Sequence, residues 1–259
     1  MLPGHKGQND GDVSAFAAAF EEIAPNITIS WSPGGGISRE NASFVSSHGG
    51  AWGRMYRIVT DFHDTEGAWA LNNHLVTIAQ FYDFIGKNNT FPDLDMLPLG
   101  QQASHGGGLR PCALSHAAQV FVVNMYAITR SPLILGAALP LDPEDTWTLS
   151  LITNPDVLRV NNETCENSPQ IVLTEPNSTD LFAWTALGST GTTIEGDLFV
   201  ALFSLRNSNA TAVGVAIPDG LYAATDVWTG QPISGGPFQS NFTTFLDYES
   251  STLVKLTKL

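Results

Sequence analysis

The feature that most constrains this chain is a change of texture near residue 168. Up to about residue 165, apolar runs of strand length alternate with stretches of helical periodicity at intervals of about 25 to 40 residues. Strands separated by helices at that spacing predict a parallel sheet with helical crossovers, an α/β class. Beyond it come short alternating runs, QIVLTE, DLFAWTAL, DLFVALFSL, AVGVAIP, YAATDVW, TTFLDY and STLVKLTKL, parted by Gly, Pro, Asn and Asp. None has helical spacing, and together they predict an antiparallel β-sandwich. Two domains are expected, residues 1–166 and 167–259.

Along the first part, Phe16, Phe20 and Ile23 space a helix over 11–24 that Pro25 stops, and NITISW (26–31) reads as a strand closed by the turn-forming SPGGG. A short helix over 39–48, a strand MYRIVTDF (55–62) and a long amphipathic helix over 66–86 follow. Then come a strand LDMLPLG (94–100), a glycine-rich loop through His105, a helix over 113–130, a buried strand SPLILG (131–136) and a helical stretch over 143–153. These make about four strand-helix units, half of what closes an eight-stranded barrel.

Charge and hydropathy narrow the function classes. Acidic residues outnumber basic ones 25 to 11 for a net −14, and no basic stripe runs through the chain, so nucleic acid and anionic membrane surfaces are not expected partners. No apolar run reaches the roughly 18–20 residues that span a bilayer. The polar start MLPGHKGQNDGD lacks the apolar core of a signal peptide. Seven Asn-x-Ser/Thr sequons (Asn26, Asn41, Asn88, Asn162, Asn177, Asn209, Asn241) nonetheless favour a glycoprotein of the secretory route, although Asn26 sits close to a predicted strand. Cys112 and Cys165 could form one disulfide, pair elsewhere or stay buried thiols.

The chemistry centres on MYRIVTDFHD. Even separations share a face of a strand, so Arg57, Val59 and Asp61 point one way and Tyr56, Ile58, Thr60 and Phe62 the other. Asp61 then falls at the carboxyl end of its strand, where barrel enzymes build their sites, with a guanidinium below to orient it. An internal Arg-Asp ion pair with no catalytic role is the competing reading. In PDLDML, Asp93 and Asp95 are two apart and so share a face; they are a carboxylate pair, a cap-and-turn feature or, more remotely, calcium ligands.

His63, beside Asp61 and Asp64, reads as a surface or supporting histidine, because the six histidines show no HExxH or similar spacing and no metal is expected. The glycine triplets at 34–36 and 106–108 match no phosphate loop, and no GxSxG elbow occurs. Trp31 and Trp52 are core residues or platforms for a sugar ring.

In order and spacing, MYRIVTDFHD, FPDLDMLPLG, ALSHAAQVFVVNMYAITRSPLILGAAL and TLSLITNPDVLRVNN resemble glycoside hydrolase family 27, the α-galactosidase (melibiase) family, over residues 10–165 and loosely beyond. The resemblance implies a (β/α)8 TIM barrel, of which this chain would hold about strands 5 to 8, followed by an antiparallel β-sandwich. It also implies hydrolysis of terminal α-galactosides with retention and no cofactor, by a protein secreted or held in the lysosome or vacuole. Asp61 is then the counterpart of the general acid/base, Arg57 of the arginine that contacts sugar and carboxylate, and Asp93 and Asp95 of aspartates that support the site.

The family's nucleophile, in a lysine-x-aspartate motif, has no counterpart, so none is expected within this chain. Trp31 and Ser32 of WSPGGG replace a turn that reads the sugar's 2-position, leaving α-galactosidase, α-N-acetylgalactosaminidase and β-L-arabinopyranosidase specificities open. The implied partner is a carbohydrate. Half a barrel also leaves two strand edges, so the isolated chain is expected to be poorly soluble and inactive, or to act as a carbohydrate-binding or interaction protein. A homodimer that completes the barrel is a further arrangement, though two copies would not supply the nucleophile.

Overall fold

Three short parallel strands carry the N-terminal part: β1 (Ser30–Trp31), β2 (Met55–Arg57) in the middle and β3 (Phe91–Asp93). A computed structural model of the protein describes residues 8–23, 26–32, 54–86, 90–104 and 107–259. The expected helix over 39–48, most of the SPGGG turn, Trp52 and His105 lie outside the described residues. The parallel order continues through one bridge, where Leu97 N donates to Ile134 O and Gly136 N donates to Leu97 O.

Helix α1 (Gln8–Ile23) precedes β1. Helix α2 (Ala68–Phe81) crosses from β2 to β3 and buries Leu71, His74, Leu75 and Ile78, the positions of one helical stripe. A two-stranded hairpin, β4 (Gln101–Ala103) with β5 (Leu109–Pro111), follows β3. Helix α3 (His116–Ile128) is capped by Ser115, whose hydroxyl accepts from Ala118 N, and is buried almost all round. An apolar helix of that kind must be covered on several sides; here the C-terminal sheet packs on it, with Trp184, Phe199, Phe203 and Leu253 in one core with Phe121, Val122 and Met125.

Several expected elements are shorter or shifted. The strand read over 55–62 ends at Arg57; Ile58 N still donates to Asp93 O, and the chain then leaves the sheet. Its two-residue alternation fails there, since Ile58 and Val59 are both buried while Thr60 is exposed. The strand read over 94–100 instead spans 91–93, with Pro92 opposite Tyr56. The one read over 131–136 is reduced to the bridge at Leu135. The helical stretch over 143–153 is α4 (Thr146–Ile152), capped by Asp145, and α5 (Pro155–Glu163) follows with Asn154 as its cap and a proline opening it.

The C-terminal part is antiparallel as expected. A five-stranded sheet runs β10 (Tyr222–Asp226), β12 (Ser250–Lys258), β8 (Leu198–Ser204), β7 (Leu181–Gly188), β6 (Thr164–Gln170), and a pair, β9 (Thr211–Ala216) with β11 (Asn241–Leu246), faces it. Strand β8 is buried at every residue, because α3 covers one face and β9 and β11 the other, which explains its unbroken apolar run. Strand β6, a polar TCENSPQ, replaces the strand read at QIVLTE, and a register shift lies between Cys165 and Ser168. Cys112 and Cys165 are free thiols, so the disulfide among the sequence readings is not formed.

Candidate active site

Arg57 closes β2 and turns its guanidinium back over the loop it leads into. Its Nε donates to Val59 O at 3.2 Å, and its Nη2 lies 2.5 Å from Asp61 Oδ1 and 3.0 Å from Asp95 Oδ2. The pairing of Arg57 with Asp61 was legible as a strand face, yet it arises from a loop folding back on the arginine. The Asp61 carboxylate is 71% exposed while that of Asp95 is 11% exposed, so one acid faces solvent and the other anchors the cation from below.

The anchor is built by a turn. Asp95 adopts a left-handed φ of 76°, a region that aspartate tolerates better than most residues at a cost of order 1–3 kcal/mol. Asp93 Oδ1 accepts from Asp95 N at 2.8 Å, Ser131 Oγ accepts from Leu94 N at 3.0 Å, and the Tyr126 hydroxyl donates to Leu94 O. Asp95 Oδ2 in turn accepts from Phe62 N at 2.7 Å. The expectation that Asp93 and Asp95 share a strand face therefore does not hold: the strand ends at Asp93, and the two meet through the turn.

Burial, opposed by the Asp95 amide and helped by the Asp95 charge, pushes the Asp93 carboxyl above its usual range. Behind Phe62 lies the buried His74, ring centroids 4.5 Å apart, donating from Nδ1 to Ala70 O. Burial lowers its pKa to about 4, so the ring is neutral.

Two clefts open at this end of the strands. The first, about 440 Å³, is lined by Ser32, Arg57, Val59, Thr60, Asp61, His63, Glu66 and Trp69. The second, about 370 Å³, shares His63 and Glu66 with the first and adds Phe62, Asp64, Thr65, Gln102, Ala103, Ser104 and Arg110. The hairpin β4–β5 walls it and is tied down by Asp64, whose oxygens accept from Arg110 Nη1 and Nη2 at 2.5 and 2.7 Å and from Ala113 N at 2.6 Å. That guanidinium holds the Asp64 carboxyl below its usual range against the cost of burial.

Of the residues singled out in the sequence, Arg57, Asp61 and Ser32 border the first cleft and Asp93 and Asp95 stand behind it. Trp31 is half-buried and packs against the core. Glu66, Trp69, Asp64 and Arg110 were missed. Glu66 and Trp69 sit at the entry to a predicted helix, where they read as helix residues, and only the fold joins Asp64 to Arg110. Among the described residues, no group of three His, Cys, Asp or Glu side chains could hold a metal ion.

An exposed carboxylate held by a guanidinium, beside a hydroxyl and an exposed indole (Trp69, 61% exposed), suits proton transfer on a neutral, hydroxyl-rich molecule.

No family profile and no curated protein matches the chain by sequence. Solved structures do match. A family 27 β-L-arabinopyranosidase of Geobacillus stearothermophilus superposes with a TM-score of 0.81 at 25% identity, over 95% of this chain and 53% of its own. A Bacillus halodurans protein provisionally named an α-N-acetylgalactosaminidase gives 0.64 at 27% identity, over 78% and 46%. α-Galactosidase I of Mortierella vinacea gives 0.62 at 16% identity, over 84% and 55%, a likeness of fold alone. The chain spans about half the length of these structures.

Proposed function

The chain belongs to glycoside hydrolase family 27, and from that premise we propose that it carries the acid/base side of a retaining α-galactosidase-type site within strands 5 to 8 of a barrel. The observation that supports this reading is the exposed Asp61 carboxylate, held by Arg57 at the edge of the first cleft. In retaining hydrolysis one carboxyl protonates the leaving oxygen while a second, about 5–5.5 Å away, attacks the anomeric carbon. Asp61 takes the first role. Arg57 orients it and contacts the sugar, Ser32 lies along the sugar, and Asp93 and Asp95 hold the arginine and the turn.

The second role is not filled by Asp95, although Arg57 Nη2 binds both carboxylates. Asp95 Oδ2 already accepts from Phe62 N and Arg57, and Asp95 does not border the cleft. Glu66 does border it, and it is the carboxylate against which this reading has to be tested. We therefore propose that the nucleophile is not supplied by this chain and that the chain does not turn over alone. The donor sugar is proposed as α-galactose, with 2-acetamido-α-galactose and β-L-arabinopyranose as the alternatives that the named relatives suggest.

The experiment supplies an external nucleophile. Azide attacks the anomeric carbon of a phenyl glycoside, the bond to the phenolic oxygen breaks, and the Asp61 proton passes to that oxygen. With phenyl glycosides of the three sugars, the 259-residue chain is expected to release phenol only with azide, together with a glycosyl azide of inverted configuration, and both products are lost in Asp61→Asn. No azide-dependent product from any of them, or one indifferent to Asp61→Asn, overturns the acid/base assignment. Turnover without azide would show that the nucleophile lies within the chain, with Asp95 and Glu66 to be replaced next.

A secretory-route location is likewise proposed. It draws support from the five described sequon asparagines, Asn26, Asn162, Asn177, Asn209 and Asn241, all of which are exposed. Loss of apparent mass on treating the natively expressed protein with an N-glycan amidase would test it.

A further inference from the structure

A third cleft, of about 190 Å³, opens between α5 and the five-stranded sheet and shares no lining residue with the two at Asp61. We propose that it is a binding site for a small zwitterion, an α-amino acid with an apolar side chain.

The cleft follows from a cation on a face that is otherwise core. Along β12, Leu253 belongs to the core shared with the helices, whereas Val254 and Leu256 belong to the one shared with β9 and β11. Alternation therefore turns Lys255 toward the helices, in one row with Thr225 of β10 and Phe199 of β8. The carboxylate that pairs with it, Asp197, stays 3.7 Å away, too far for a hydrogen bond, so the ammonium keeps its donors. Helix α5 brings a second cation: Arg159 commits Nη1 to Asp156 Oδ1 at 2.5 Å, and its Nε and Nη2 make no bond among the described residues. On the sheet side, Thr229 N and Oγ1 both donate to Asp226 Oδ1 at 2.8 Å, which leaves Oδ2 to accept. Ile194, Phe199 and Val227, all buried, give the cleft its apolar wall.

The charged lining is thus two cations, Arg159 and Lys255, and two carboxylates, Asp156 and Asp226. A simple anion or cation meets repulsion there as well as attraction. A molecule carrying both charges can set its carboxylate on Lys255 and Arg159, its ammonium on Asp226 and an apolar side chain on the wall. The volume equals about six waters of the liquid, room for one amino acid and not for a peptide.

The test titrates the 259-residue chain calorimetrically with L-leucine, with 4-methylpentanoate, which lacks the ammonium, and with 3-methylbutan-1-amine, which lacks the carboxylate. Leucine is expected to bind saturably in the millimolar range, and each analogue about tenfold more weakly, as loss of one charged hydrogen bond would give. Lys255→Met should weaken leucine about tenfold and leave the amine unchanged. Asp226→Asn keeps the Oδ1 acceptor, and should weaken leucine and leave the pentanoate unchanged. Arg159→Gln, on the opposite wall, should repeat the Lys255→Met pattern, so a folding defect in one variant does not decide the outcome. No saturable leucine binding, leucine binding that survives these substitutions, or an analogue that binds as well as leucine overturns the proposal. Urea unfolding of each variant separates lost binding from a lost fold.

Discussion

Arg57, at the end of β2, is joined to Asp95, in the turn after β3, Nη2 to Oδ2 at 3.0 Å, and the same nitrogen reaches the exposed Asp61. One largely buried carboxylate thus positions the cation that holds the exposed one. Asp95→Asn keeps a side chain that tolerates the left-handed turn and can still accept from Phe62 N, but it removes the charge opposite Arg57. It should cost about 1–2 kcal/mol of stability. Asp95→Ala also loses the Phe62 acceptor and disfavours φ of 76°, and should cost about 1 kcal/mol more. Urea unfolding of the two variants measures the difference; equal losses would count against the turn.

How much of this was legible depended on the distance along the chain. Arg57 and Asp61 lie in one segment, so their pairing is legible even though the strand beneath is shorter than its periodicity predicts. Asp95 was legible as a motif, but nothing in Leu-Asp-Met announces a left-handed turn. Asp64 and Arg110 are 46 residues apart, and no periodicity connects them. Strand β8 showed itself as an apolar run because both its faces are covered. Strand β6 did not, since it is held partly by side-chain hydrogen bonds such as Asn167 Nδ2 to Ile128 O at 2.6 Å.

The fork between Asp64 and Arg110 should govern the second cleft without governing the fold. Arg110→Ala leaves Asp64 with only the Ala113 amide against it, and a loss of stability is expected. Because the partner holds the Asp64 carboxyl low, its contribution is present above the unfolded carboxylate range near pH 3.9 and lost as pH falls below it. Acid unfolding of Arg110→Ala should therefore differ from wild type most at neutral pH and converge with it at low pH.

His74 adds a second pH dependence. Its folded pKa of about 4 lies below the 6.5 of an unfolded histidine, so the unfolded chain takes up the proton first. Stability is then complete above pH 6.5 and falls as pH drops toward 4, by an amount on the order of 3 kcal/mol. The difference in unfolding free energy between wild type and His74→Gln, followed from pH 7 to 4.5, should shift in favour of the variant. A pH-independent difference would mean that the imidazole is not held neutral.

Asn124 bonds α3 to the C-terminal sheet on both of its side-chain atoms. Its Nδ2 donates to Ser251 Oγ at 2.9 Å, and its Oδ1 accepts from Trp228 Nε1 at 2.8 Å, with the amide fully buried. Asn124→Ala strands both partners and leaves a small cavity, for an expected loss of about 2–4 kcal/mol. The Trp228 emission maximum should shift in the same variant, which a purely local change on α3 would not produce.

Helix α1 turns its large apolar residues outward. Phe16 is 60% exposed and Ile23 80%, Phe20 is exposed on the same helix and Ile27 beyond it, while the small Ala17 is buried. Each such side chain gains about 1.5–3 kcal/mol on full burial, against an association cost of about 4–15 kcal/mol. Burial of these partly exposed side chains against like surfaces is of the same order as that cost, so weak self-association that grows with protein concentration is expected. Light scattering should give a mass above the 27.7 kDa of a single chain. Phe16→Ser/Ile23→Lys should return it toward that value, because it removes the two most exposed anchors and places like charges opposite each other in any symmetric contact. A monodisperse single chain for wild type would mean that the exposed apolar residues do not drive association, and association unchanged by the double variant would place the adhesive surface elsewhere, with the short parallel edge at β1 the next to test.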